Sequence, residues 1–127
     1  MTAALSISGA RMTPEEKQQF IHDKLNEHSV PANEKILWSA HAVKKLRAEG
    51  LKKAHVEESL KACDLIEDYQ TEGRPLPDCL VLGFIGVDPV HIVVAIDADF
   101  DRILIVTVYR PSAERWEDDG KTRKRKS

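Results

Sequence analysis

The stretch Arg102-Ile103-Leu104-Ile105-Val106-Thr107-Val108-Tyr109-Arg110-Pro111 decides the fold. It is dense in β-branched residues and closes on a proline, which has no N–H to give a ladder, so it reads as a strand. Side chains alternate across a strand, and this one divides into two unlike faces. Leu104, Val106 and Val108 make an aliphatic face, while Ile103, Ile105, Thr107 and Tyr109 make one that turns polar toward its end. That second face serves either as the floor of a site or as a solvent face.

Two further strands precede it, Leu80–Ile85 and His91–Ile96, joined by the short links Gly86–Pro89 and Asp97–Arg102. Short links favour antiparallel pairing. Ile66–Tyr69 reads as a short edge strand, and Gly73-Arg74-Pro75-Leu76-Pro77 as an irregular loop. Upstream the periodicity is helical. Thr13-Pro14-Glu15-Glu16 is a capping box opening a helix to about His28, with Phe20, Ile21, Leu25 and His28 on one stripe. Ser39 caps a second helix, with Trp38 placed to staple onto Val43, and Gly50 supplies its left-handed stop. A third helix, about Ala54 to Asp64, turns Val56, Leu60 and Cys63 to the core. The predicted fold is α+β, with N-terminal helices packed on one face of a small antiparallel sheet of three to four strands. The predicted organisation is an extension over 1–34 with one accessory helix, a domain over 35–118, and a basic tail over 119–127.

The 127 residues suffice for a single packed core, and 42% hydrophobic with 31% charged residues fits a globular domain. No apolar run reaches the ~18 residues of a membrane helix, and Met1–Arg11, small and polar, lacks the features of a secretory signal. A cytoplasmic protein is expected. Cys63 and Cys79 are too few for a disulfide framework and lack metal-motif spacing. The net charge of -2 hides an asymmetry, since Lys121, Arg123, Lys124, Arg125 and Lys126 fall within the last seven positions. Without them, 14 basic residues face 21 acidic ones. So acidic a body does not suit a broad grip on nucleic acid, and phosphate binding would have to be local.

With symmetric closure of the last hairpin, His91 faces Tyr109 and Val93 faces Thr107. The even-numbered residues Ile92, Val94, Ile96, Leu104, Val106 and Val108 then form the helix-covered core, and His91, Thr107 and Tyr109 gather on the other face. His41 falls at the second position of its helix, where the dipole opposes positive charge and suits an imidazole to act as a base. Lys45 follows one turn later on the same side. Arg110 and Arg74 carry guanidinium forks suited to phosphate, and Tyr109 is placed to orient it or to stack on a base. Each has a plainer reading: a half-exposed histidine, a solvated lysine, a strand-end tyrosine, surface arginines, and for His91 an imidazole bonded to a loop carbonyl. Trp116 is expected to cover the edge of the core. No ligand spacing supports a metal site from His41, His91 and Cys79, and Asp97, Asp99 and Asp101 lack the glycine and distal glutamate of a calcium loop. The chain holds no phosphate-binding glycine loop, nucleophile elbow or dinucleotide fingerprint.

Four separated blocks carry a resemblance: Trp38-Ser39-Ala40-His41-Ala42, the helix end Gly50-Leu51, Pro89-Val90-His91-Ile92-Val93-Val94-Ala95, and Thr107-Val108-Tyr109-Arg110-Pro111 with Trp116 and Lys121-Thr122-Arg123. In this order they resemble the domain-of-unknown-function family 4258 over roughly Ile36 to Lys124. The resemblance implies a RelE-like toxin fold of the barnase, EndoU and colicin type, and an RNA endonuclease of a toxin–antitoxin pair. It implies a partner antitoxin carrying a zinc-binding domain and a helix-turn-helix, and chemistry that needs neither metal nor cofactor. A base activates the 2′-hydroxyl, cations steady the phosphorane and an acid protonates the leaving oxygen. Carried over, His41 and His91 are the acid and base, with Lys45 and Tyr109 beside them and Arg47, Arg74, Thr107 and Arg110 on the substrate side. The chain departs from the family at Lys45 and Glu49, where arginines are usual. The rival is a catalytically inactive RelE-like domain serving as a protein- or RNA-binding module. The nuclease reading requires His41 and His91 on one face within about a dozen Å, the reach of acid and base on one phosphate.

Overall fold

In a computed structural model, residues 12–28, 34–69, 76–113, 115–116 and 120–123 are described. The capping box forms in both directions: Glu16 N–H donates to Thr13 Oγ1 at 3.1 Å and Thr13 N–H to Glu16 Oε1 at 2.8 Å. It opens α1 (Pro14–His28). Then come β1 (Ile36–Trp38), α2 (Ala40–Ala48), α3 (Lys53–Ser59), β2 (Asp64–Tyr69), β3 (Asp78–Ile85), β4 (Asp88–Asp97) and β5 (Arg102–Tyr109). The sheet order is β1-β5-β4-β3-β2. No helix among the described residues is long and apolar enough to cross a membrane.

The α+β class holds, and two details of it are corrected. The sheet is five-stranded and mixed, because β1 runs parallel to β5 while the other pairs are antiparallel. Three residues are too few to display an alternation, so β1 has no signature of its own. Long-range bonds at its ends fix it: Ile103 N–H to the Lys35 carbonyl at 2.9 Å and Ser39 N–H to the Ile105 carbonyl at 3.0 Å. The helices are also not a separate N-terminal block, since β1 lies between α1 and α2. The third helix ends earlier than predicted. It passes into a 3₁₀ turn over Leu60–Ala62, and Asp64 already begins β2.

The register of the last hairpin carries a further correction. His91 pairs with Tyr109 and Val93 with Thr107, as the sequence predicts, but Val94 pairs with Ile105. Val106 is an extra residue, a β-bulge, and a one-residue slip exchanges the two faces of the strand beyond it. Ile103, Ile105 and Val108 are therefore fully buried, while Leu104 and Val106 are only partly so. The even-numbered wall predicted for β5 does not form. All of residues 103–106 are aliphatic, so either parity would have made an acceptable core.

Helices cover one face of the sheet. Ile21 and Leu25 of α1, Ala42 and Leu46 of α2, and Val56 and Leu60 meet Cys79, Val81, Ile92, Val94, Ile96, Ile103 and Ile105. The α1 helix is thus laid into the same core as the rest. Its Lys17 is fully buried and pairs with Asp68 at 2.5 Å. Burial pushes the Cys63 and Cys79 thiols up to about 12, which keeps both protonated and unreactive.

The opposite face is closed by the chain's own end. Trp116 pairs with Arg123, and Leu80, Leu82, His91 and Trp116 are buried there. The expectations for Met1–Arg11, Arg74 and 124–127 lie outside the described residues.

Candidate functional site

Helix α2 sets the site. Ser39 caps it, its Oγ accepting from Ala42 N–H at 2.9 Å, and the same hydroxyl donates to the Val106 carbonyl at 2.9 Å. One side chain thereby fixes the helix start against the bulge. The helix ends in a Schellman motif: Leu51 N–H donates to the Leu46 carbonyl, Gly50 N–H to the Arg47 carbonyl, and Gly50 takes φ 68. Between these ends His41, Lys45 and Glu49 recur every fourth residue and share one side.

That side runs beside the end of β5. The His41 ring Nε2 lies 3.1 Å from Thr107 Oγ1, with His41 itself exposed. Glu49 Oε1 accepts from Arg110 N–H at 2.9 Å, and the Glu49 carbonyl accepts from Arg110 Nε at 3.2 Å. Glu49 Oε2 lies 3.8 Å from Lys45 Nζ. Two contacts thus lie along this side: His41 with Thr107 near the helix start, and Glu49 with Lys45 and Arg110 near its end. Arg47 is exposed and, two positions from Lys45, faces away from this stripe.

Tyr109 lies two residues from Thr107 and thus on the same face of β5. It meets His91, which has no exposed surface at all. The His91 Nε2 lies 2.6 Å from the Gly120 carbonyl, and Nδ1 lies 3.3 Å from Tyr109 Oη. A carbonyl only accepts, so Nε2 carries the proton and Nδ1 accepts from the tyrosine hydroxyl. The imidazole is also held edge-on by Trp116, with ring centroids 4.3 Å apart, and by Tyr109 at 5.2 Å. Burial pushes its pKa below the ordinary histidine value, and burial likewise raises that of Tyr109. His91 is a neutral clasp between β5 and the C-terminal segment.

The clasp has a second half. Arg123 stacks on the Trp116 ring at 4.6 Å and forks onto Glu67, with Nε to Oε2 at 2.6 Å and Nη2 to Oε1 at 3.0 Å. The Arg123 hydrogen bond holds the Glu67 carboxyl below its usual range. The two predicted histidines thus approach one face of β5, through Thr107 and Tyr109 respectively, but differ in access. His41 is open to solvent, and both nitrogens of His91 are engaged.

Sequence reasoning did not single out Ser39 as a tie to β5, nor Glu49, Glu67 and Gly120 as partners of Arg110, Arg123 and His91. The Lys45–Glu49 spacing was visible as an i,i+4 pair; the contacts to β5 and the tail span more than twenty residues and left no local signal. Among the described residues no cluster of His, Cys, Asp and Glu is arranged to hold a metal ion.

No curated protein and no solved structure matches the chain. The family described as domain of unknown function (DUF4258) matches residues 38–110, a span that holds His41, Lys45, Glu49, His91, Thr107, Tyr109 and Arg110. The match covers more than half of the chain and runs from the end of β1 to the residue after β5, so the chain belongs to the DUF4258 family.

Proposed function

We propose that this protein is a metal-independent endoribonuclease of the toxin type, partnered in the cell by an antitoxin carrying a zinc-binding domain and a helix-turn-helix. The observation that carries the reading is the exposed His41 imidazole, seated on Thr107 and followed along the same helix side by Lys45 and by Glu49, which holds Arg110. An accessible imidazole with two cations farther along the same helix side has the parts that RNA transesterification needs. His41 takes the proton of a ribose 2′-hydroxyl, O2′ attacks the adjacent phosphorus, and the P–O5′ bond breaks. The products are a 2′,3′-cyclic phosphate and a 5′-hydroxyl, whose oxygen takes its proton from water at this open site. Lys45 and Arg110 steady the charge on the phosphorane, and Thr107 orients the His41 ring. Tyr109 lines the RNA path, with His91 as the positioning residue behind it. Arg47 and Arg74 are assigned to binding of the RNA substrate.

The test is purified protein on a single-stranded RNA in excess EDTA, alongside induced expression in cells. Wild type should leave 2′,3′-cyclic phosphate ends and arrest translation, and His41→Ala should cleave at least ~100-fold more slowly, the ordinary contribution of one acid–base group. Intact RNA and undisturbed growth with wild type would sink the reading.

One observation favours a second reading, a non-catalytic binding module. Glu49 places a carboxylate between Lys45 and Arg110, where a nuclease would hold phosphate. Under that reading RNA or a protein partner is bound and no RNA is cut.

A further inference from the structure

The Glu49 carboxylate is held as a phosphate oxyanion is held. Oε1 takes the backbone N–H of Arg110, which lies one residue past the end of β5, and Oε2 faces the Lys45 ammonium. The Arg110 guanidinium is kept alongside by its bond to the Glu49 carbonyl. The main-chain N–H and the ammonium face the carboxylate itself, while the guanidinium is held on the neighbouring carbonyl, within the same small cluster. The three together offer a donor set suited to one phosphate group. The arrangement is open, since the Lys45 and Glu49 side chains retain 35% and 23% of their exposure. It is also local, as the acidic body requires. The carboxylate interrupts a run that otherwise reads imidazole, ammonium, amide and guanidinium.

We propose that Lys45 and the N–H and guanidinium of Arg110 form a seat for a single phosphate group, and that Glu49 is its resident occupant, displaced when phosphate enters. The source of that phosphate, an RNA phosphodiester, rests on the function proposed above; the seat itself does not. Two functional consequences follow. Phosphate must compete with a tethered carboxylate, so the resting affinity is low. Neutralising Glu49, by substitution or by a partner's cation, opens the seat without any movement of the fold.

Glu49→Gln tests this, because glutamine keeps the length of the side chain and an acceptor for Arg110 N–H while removing the charge. The full chain is titrated with inorganic phosphate, and the backbone amide signals of Arg110 and its neighbours are followed by NMR. E49Q should bind phosphate about tenfold more tightly than wild type, a difference of about 1.4 kcal/mol. Adding Lys45→Met to E49Q should remove the gain. A folded E49Q with no gain, or a gain that survives K45M, overturns the seat. Should E49Q fail to fold, wild type at high phosphate decides: movement of the Arg110 amide supports the seat, and a silent amide overturns it. Displacement of phosphate by a short oligoribonucleotide supports RNA as its source. Phosphate binding that no oligoribonucleotide disturbs overturns that assignment and leaves a seat for free phosphate. Cleavage is read separately, so an inactive protein with a phosphate-binding E49Q refutes the nuclease reading alone.

Discussion

Replacing His91 with alanine should loosen the whole C-terminal closure while leaving the helix-covered core in place. The substitution removes a 2.6 Å bond to the Gly120 carbonyl and the acceptor for Tyr109 Oη, at ~1 kcal/mol net for each hydrogen bond. It also removes two edge-on aromatic contacts, worth ~0.5–1.5 kcal/mol each, and leaves a void where no solvent now reaches. The total is about 3–5 kcal/mol before the void is counted, a large share of the ~5–15 kcal/mol by which a domain is stable. Urea unfolding at pH 7.5 measures it, with Trp116 emission as the local reporter. His41→Ala, made on an exposed side chain, is the control and should change stability by less than ~0.5 kcal/mol. The pH dependence follows from the same burial. The folded imidazole titrates below the ordinary 6.5, so the unfolded chain binds more protons in the interval beneath that value. The stability that His91 lends is then complete above pH 6.5 and is lost as pH falls from there toward the folded value. The Arg123 bond lowers the Glu67 carboxyl, whose contribution is complete above the ordinary 4.5 and is lost as pH falls through its own folded value. H91A should flatten the first of these two slopes. An H91A protein as stable as wild type, or a wild type that gains stability on acidification from pH 7 to 5, would refute the reasoning.

Gly83→Ala should separate α3 from β3, since its Cβ would stand 2.6 Å from Ser59 Oγ, 2.9 Å from Ser59 Cβ and 3.0 Å from the Ser59 carbonyl. A cost of about 1–3 kcal/mol is expected, read as a fall in melting temperature that Ser59→Gly partly restores; an unchanged melt would deny the close approach. Asp68→Ala should cost about 3 kcal/mol, because it leaves the fully buried Lys17 ammonium without its carboxylate. The apolar pair Lys17→Met with Asp68→Ala should recover most of that loss in urea unfolding, and a double variant no better than D68A would count against it.

Elements with a local signature were legible in the sequence. The Thr13–Glu16 capping box, the Ser39 cap, the Gly50 stop and the three long strands each rest on residues within a few positions of one another. The His91–Tyr109 and Val93–Thr107 pairs also followed, because short links leave antiparallel strands few alternative registers. The parallel strand β1 was not legible, being defined only by bonds to residues more than sixty positions away. The bulge left no trace either, as Ile103 through Val106 offer an apolar side chain whichever way they point. At the site, types and spacing marked His41, Lys45, Tyr109 and Arg110, but access is a tertiary property. Nothing near His91 in the chain announces that Gly120 and Trp116 will enclose it, or that Glu49 will reach Arg110.

The extra residue at Val106 bears on how such a strand acquires a chemical end. Ile103 and Ile105 face the helices, and strict alternation would send Thr107 and Tyr109 after them into an oily interior, with Val108 turned to the opposite face. The inserted residue hands the hydroxyls to one side and returns the valine to the other. Along β5 it works as a switch point: before it the odd positions hold the molecule together, and after it they face the candidate reaction centre. Gain or loss of one residue there exchanges the two roles at a stroke, a change that no single side-chain replacement along this strand can reproduce.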